Sequence, residues 1–168
     1  TVVIKYGGSA MVDEDLRETF ADDVAMLHYV GIKPVIVHGG GPHISAAMGQ
    51  RGIEPQWLEG LRVTDEDTIR VVQSTLVGEI NPDIVRLVNN HGSVATGLSG
   101  LDANLFVAVP QDDRLGYVGK VTEVNVGVVE VLQQAIGAHI RLAAKEHILV
   151  QREIVIQIGR LDTRPRDE

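Results

Sequence analysis

Two glycine-rich stretches and one arginine carry the residue types that could hold an anion. Lys5-Tyr6-Gly7-Gly8 closes the apolar run that begins at Thr1, and Val35-Ile36-Val37 runs into His38-Gly39-Gly40-Gly41-Pro42-His43. Three consecutive glycines cost backbone entropy that a plain turn does not need. The cost makes sense where main-chain N–H groups must come close to a ligand. At the C-terminal end of a strand that feeds a helix, such a ligand is usually an anion. A tight strand-to-helix turn is the plain alternative, and the triplet alone does not separate the two. Lys5 could add a cation to the same anion, or be a solvated strand-end lysine. Arg62, in Gly60-Leu61-Arg62-Val63-Thr64, stands just before a helix start. A fixed guanidinium there could grip a carboxylate through two parallel hydrogen bonds, or it is a surface arginine paired with Glu59 or Asp65.

These residues need elements to position them. Thr1 to Tyr6 and Val35 to Val37 read as strands, the second β-branched and buried. Between them, Asp13 to Val30 reads as a helix. Asp13, Glu14 and Asp15 suit its positive end, Leu16, Phe20, Val24 and Leu27 form its apolar stripe, and Gly31 stops it. Strand, helix and strand at this spacing imply a right-handed parallel crossover, which puts both glycine clusters at one sheet edge. If the strands are neighbours, Lys5 and the backbone of Gly7, Gly8, Gly40 and Gly41 converge on one anion.

Further on, His43 to Gln50 reads as a short helix, with Pro42 acceptable at its first turn. Residues 52–62 read mainly as loop. Thr64 and Asp67 fit a capping box, and Ile69, Val72, Leu76 and Ile80 mark the buried stripe of the helix that follows, with Asn81-Pro82 as a break or kink. Ser93 to Leu98 is a strand. Leu105 to Val109 and the alternating stretch to Val126 form an antiparallel β element, and Gly127 to Gln134 is a short helix. In the last part, Ala138 to Ile148 has helical spacing, Ile154, Ile156 and Ile158 alternate like a strand, and Arg160 to Glu168 is a charged, frayed tail.

Bulk properties narrow the function classes. The 168 residues suffice for one domain with a real core. With 44% apolar and 23% charged residues the chain is globular, and no run reaches the roughly 18 apolar residues of a membrane span. A net charge of −8 without a basic block argues against nucleic acid and anionic membrane as partners. The absence of Cys excludes disulfides and thiolate chemistry and fits a cytoplasmic setting. Thr1 opens straight onto a strand, as in a chain that begins inside a longer protein.

Other motifs fail on spacing. Gly39 and Gly41 match two positions of a dinucleotide fingerprint, but Ile44 stands at the third, and no Gly-Lys-Ser/Thr of a phosphate-binding loop occurs. His-Gly-Gly-Gly also serves as an esterase oxyanion loop, but Gly97-Leu98-Ser99-Gly100-Leu101 is not the nucleophile elbow that reading requires. His38 and His43 have no third ligand nearby, so no metal site is expected. His38 reads as an orienting or packing residue.

Taken together and in order, Lys5-Tyr6-Gly7-Gly8, His38-Gly39-Gly40-Gly41-Pro42 and Gly60-Leu61-Arg62-Val63-Thr64 resemble the acetylglutamate kinases of the amino acid kinase family. Gly97-Leu98-Ser99-Gly100-Leu101-Asp102-Ala103 and Gly116-Tyr117-Val118-Gly119 extend the resemblance, which covers about residues 1–134. It implies an α/β fold: three αβα layers, a mainly parallel central sheet and a small antiparallel β element. It also implies phosphoryl transfer from ATP with Mg2+ to the side-chain carboxylate of N-acetyl-L-glutamate, a step of arginine biosynthesis, and allows a homo-oligomer. By the resemblance Lys5 stabilises the transition state, Gly7 and Gly8 cradle phosphate, Gly40 and Gly41 bind substrate, and Arg62 holds the α-carboxylate. Family members continue into an ATP-binding lobe with an Asn-x-Asn-Ala-Asp stretch, a strand-end Asp that orients the catalytic groups and a second catalytic lysine, and none of these motifs occurs in residues 135–168. The expected organisation is therefore an acetylglutamate-binding lobe over 1–134 and a divergent tail over 135–168, with turnover by the lobe alone poor or absent; a non-catalytic amino-acid- or anion-binding module and a self-associating structural fragment are the alternatives.

Overall fold

The computed structural model describes residues 1–92, 94–133 and 153–157. The first strand, β1 (Val2–Tyr6), is followed by a 3-10 turn, Gly8–Met11, and helix α1 (Glu14–Tyr29). Asp13 caps α1, its carboxylate accepting the Leu16 N–H, and Gly31 at φ 87° ends it. Ala21, Val24 and Ala25 are the buried residues of α1. Leu16, expected in that stripe, is 46% exposed, in the first turn of α1. Strand β2 (Pro34–His38) then leads through Gly39 and Gly40 into α2 (Gly41–Gln50).

The stretch expected as loop contains a hairpin, β3 (Trp57–Leu58) with β4 (Leu61–Arg62), closed by Glu59 and Gly60 at φ 51° and 77°. Helix α3 (Glu66–Gln73) is capped by Asp65, which accepts the Thr68 N–H at 2.8 Å. The expected cap, Thr64, is 1% exposed and its hydroxyl donates to the Arg62 carbonyl instead. It is drawn away by a bridge to Gly116. A π-helical segment, Ser74–Ile80, joins α3 to α4 (Asn81–Asn89), so the helix does not break at Asn81-Pro82. The change of register puts Pro82 in the first turn of α4, where its missing N–H is tolerated. Strand β5 (Ala95–Leu98), the antiparallel pair β6 (Phe106–Pro110) and β7 (Gly119–Val124), and helix α5 over 127–133 follow.

The main sheet is parallel, in the order β1-β2-β8-β5, where β8 is Glu153–Gln157. The alternation read in the last part of the chain thus becomes an interior strand between β2 and β5. The helix expected over 138–148 and the charged end from Arg160 lie outside the described residues. The two faces of the sheet are distinct. Ile36 and Tyr6 pack with Val24, Ile44, Met48, Ile69, Leu76, Ile84 and Val88 of α1 to α4 and the π segment. Val35, one residue from Ile36 and so on the opposite face, packs with Leu105, Leu98 and Phe106 and with Val128, Val129 and Leu132 of α5. A helical layer on each side of a parallel sheet, with the β6-β7 pair as a separate sheet, is the expected three-layer architecture.

Candidate functional site

The sheet register decides which glycines meet. Lys5 pairs with Val37 and Tyr6 with His38, so β1 and β2 are neighbours and end together. His38 is level with Gln157, and Leu98 pairs with Ile156. The Gly7-Gly8 and Gly39-Gly40-Gly41 turns therefore leave the same carboxyl edge, side by side, and Ser99-Gly100 leaves it from β5. This edge is where open parallel sheets bind ligands.

The three glycines of the second turn are glycine for different reasons. A Cβ on Gly40 would lie 2.5 Å from Ile80 Cδ1 and 2.7 Å from Leu76 Cδ2, so any side chain there would have to displace these two buried tips of the π segment. A Cβ on Gly39 or Gly41 would meet nothing within 4 Å, and neither residue is in the left-handed region. At those two positions no contact among the described residues needs glycine, and neither does the turn. Gly41 opens α2, whose first intrahelical bond is Ile44 N–H to Gly40 O, and no side chain caps the helix. The N–H groups of Gly41 and His43 thus have no partner within the helix, and the helix dipole adds partial positive charge at the same point. Beside them is a cavity of about 390 Å3 lined by Tyr6, Met11, Arg17, His43, Glu79 and Asp83 among others. His43 Nδ1 is buried, without a hydrogen-bond partner among the described residues. Among the described residues no group of His, Asp and Glu is arranged to hold a metal ion.

Lys5 is exposed and has no hydrogen-bond or ion-pair partner among the described residues. Its neighbours Ile4 and Tyr6 face the α1–α4 layer, so Lys5 leaves the sheet on the other face. Gly7 sits at ordinary contact distance from Met11, 3.9 Å from where a Cβ would be. Gly8 begins the 3-10 turn.

Arg62 is 5% exposed and so is not a surface arginine. Its Nη2 donates to Ser45 Oγ at 2.8 Å, its Nη1 lies 3.1 Å from Met48 Sδ, and its Cζ sits 4.5 Å from the centre of the Trp57 ring. The backbone around it is pinned. Val63 N–H donates to Gln56 O, Thr64 N–H to Leu115 O at 3.0 Å, and Tyr117 N–H to Thr64 O at 2.7 Å. Gly116 makes that last approach possible: it has φ 63°, and a Cβ there would lie 2.3 Å from Thr64 O. Ser45 stands four residues into α2, about 6 Å along the axis from Gly41 at 1.5 Å per residue. The guanidinium is thus held roughly one helical turn from the glycine edge.

Sequence reasoning missed Asn81 as anything but a break. It is 7% exposed, its Nδ2 lies 3.3 Å from His38 Nε2, and its Oδ1 would be 2.0 Å from a Cβ on Gly97. His38 itself is 1% exposed, with Nδ1 3.0 Å from Gly39 O. Burial pulls its pKa below the ordinary histidine value, and the bond to Gly39 offsets this only in part. A glycine inside a strand pattern, here Gly97, is the sequence signal for such a close approach.

Comparison with known proteins gives the chain's relatives. A family profile described as the amino acid kinase family matches residues 1–143. The acetylglutamate kinase of Caldanaerobacter subterraneus subsp. tengcongensis is 51% identical over 134 residues, which are 79% of this chain and 45% of that protein. The acetylglutamate kinase of Streptomyces coelicolor is 48% identical over 139 residues, again 45% of its length. The chain therefore spans under half the length of these curated relatives. Among solved structures, smu.665 of Streptococcus mutans superposes with a TM-score of 0.69 at 26% identity, over 93% of this chain and 57% of that one.

Proposed function

Since the chain belongs to the amino acid kinase family, we propose that it supplies the amino-acid-binding lobe of an acetylglutamate kinase, a cytoplasmic enzyme of arginine biosynthesis. N-acetyl-L-glutamate is the ligand of this lobe, and its side-chain carboxylate accepts the phosphoryl group of ATP. The observation that carries the proposal is the space that the described residues leave open at Gly39 and Gly41. Two glycines that neither the turn nor the core requires make sense as clearance for a ligand against the α2 N-terminus. The same edge has Lys5 on the neighbouring strand, and Arg62 is fixed about one helical turn away. A helix N-terminus and a guanidinium bound to the same helix would suit the two carboxylates of a glutamate derivative.

The chemistry asks little covalent work of the protein. In phosphoryl transfer, charge spreads over the transferred oxygens and over the attacking carboxylate. Backbone N–H groups of the Gly7-Gly8 and Gly40-Gly41 turns would stabilise it without reorganisation, and Lys5 would add a mobile positive charge. Arg62 would hold the α-carboxylate and so orient the reacting end. The described residues offer no ligand set for Mg2+, so the ion would accompany the nucleotide phosphates.

A second reading is a non-catalytic amino-acid or anion-binding module, since the α2 N-terminus and Arg62 gathered at this edge are binding groups. Isothermal titration with N-acetyl-L-glutamate tests the lobe. Binding at millimolar affinity or tighter, abolished in Arg62→Ala, is expected, and a flat titration of the wild-type protein overturns the proposal. An ADP-release assay with acetylglutamate and Mg-ATP then separates kinase from binder.

A further inference from the structure

Between the glycine turn and α4 lies a relay of two polar contacts. Asn81 Nδ2 faces His38 Nε2 at 3.3 Å, and His38 Nδ1 faces Gly39 O at 3.0 Å. Asn81 Oδ1 is aimed at the bare backbone of Gly97, where any side chain would displace it. The amide nitrogen of Asn81 has only donors, so the facing His38 Nε2 must accept, and the proton of the neutral ring must be on Nδ1. Nδ1 then donates to the Gly39 carbonyl. The carbonyl and the next N–H of a trans peptide point in opposite directions. Fixing Gly39 O against the imidazole therefore aims the Gly40 N–H away from the ring and from the helical layer that holds Asn81.

We infer that Asn81 and His38 are positioning residues, which set the orientation of the Gly39–Gly40 peptide and so preorganise the Gly40 N–H as an anion donor. The inference rests on the reading of this turn as an anion cradle, but the orientation itself is a property of the unliganded chain. Three observations support it independently of the relay. His38 and Asn81 are 1% and 7% exposed, too buried for the polar pair to be incidental. Gly97 leaves the room that Asn81 needs. The π segment ends at the residue before Asn81, and its Leu76 and Ile80 close on Gly40 from the same side. The turn is thus held by packing on its α carbon and by hydrogen bonding on its carbonyl. Burial favours the neutral imidazole that the relay needs.

The test uses the 15N-labelled full chain. In the wild-type protein at neutral pH, the His38 ring should show a protonated Nδ1 and an unprotonated Nε2, and the reverse pattern overturns the relay. His38→Asn, whose amide nitrogen takes the place of Nδ1, should keep the Gly40 amide shift. His38→Phe, which keeps the volume without a donor, should move it. Asn81→Ala should move it too and offers a second route if His38→Phe does not fold. An unchanged Gly40 amide in a folded His38→Phe or Asn81→Ala overturns the inference. Acetylglutamate affinity, titrated in parallel, should fall about tenfold in His38→Phe, as for one lost oriented donor, and recover in His38→Asn. Should the wild-type protein bind no acetylglutamate while the ring and amide signals behave as stated, the lobe assignment falls and the positioning pair stands.

Discussion

Gly41→Ala separates a glycine kept for the fold from one kept for a ligand. Gly41 is the first residue of α2, exposed, outside the left-handed region, and without any atom within 4 Å of an added Cβ. By the fold alone the substitution is favourable. Alanine narrows the unfolded ensemble and suits a helix, which together stabilise by about 0.4–1 kcal/mol. In a chain of 168 residues this raises the melting temperature by roughly 1–4 °C. For a ligand seated on the α2 N-terminus the same methyl is an obstruction. It holds an anion away from the Gly41 N–H, and a hydrogen bond to a charged group is worth about 1.5–3 kcal/mol, or roughly 10- to 100-fold in affinity. Thermal unfolding and acetylglutamate titration on the same preparation therefore move in opposite directions. A variant that is stabilised and binds acetylglutamate as the wild type does refutes the reasoning, since the clearance would then serve nothing. A destabilised variant refutes it too, because the backbone itself would need glycine.

Gly40→Ala should behave differently, destabilising by about 1–3 kcal/mol in urea titration, because its Cβ would overlap the buried Ile80 and Leu76 tips. Lys5→Ala, at an exposed position, should shift stability by less than about 0.5 kcal/mol while abolishing any ADP release; unfolding would make Lys5 structural. Stability should also fall with acid. Burial holds the His38 and His28 pKa values below the ordinary one in the folded chain, so below about pH 6.5 the unfolded state takes up protons that the folded state refuses. Their contribution is complete above that pH and is lost as pH falls through it, by at most about 1.4 kcal/mol per unit for each group. Urea unfolding at pH 7.5 and 5.5 should show the loss, reduced in His38→Asn, and an equal loss in that variant would clear His38 of the effect.

Local pattern was enough to find most of the elements. The β-branched run before the glycines became β2, the apolar spacing after Asp13 became α1, and even the alternation at Ile154 and Ile156 became a strand. These signals are local because side-chain period and capping chemistry act over a few residues. The candidate anion edge could be inferred for the same reason: strand, helix and strand admit one favoured handedness, which puts both glycine turns at one end. What required tertiary structure was every choice between equal local options. Thr64 and Asp65 can each cap a helix, and the bridge from Thr64 to Gly116 settled it for Asp65. Arg62 could have been solvated, and the Trp57 hairpin and α2 enclosed it. Glycines identical in sequence divided into Gly40, crowded by the π segment, and Gly39 and Gly41, crowded by nothing among the described residues. Asn81 went from a helix break to the partner of His38, across a separation of 43 residues. Each of these depends on desolvation and on contacts between segments far apart in the chain, and such contacts leave no period in the sequence to read.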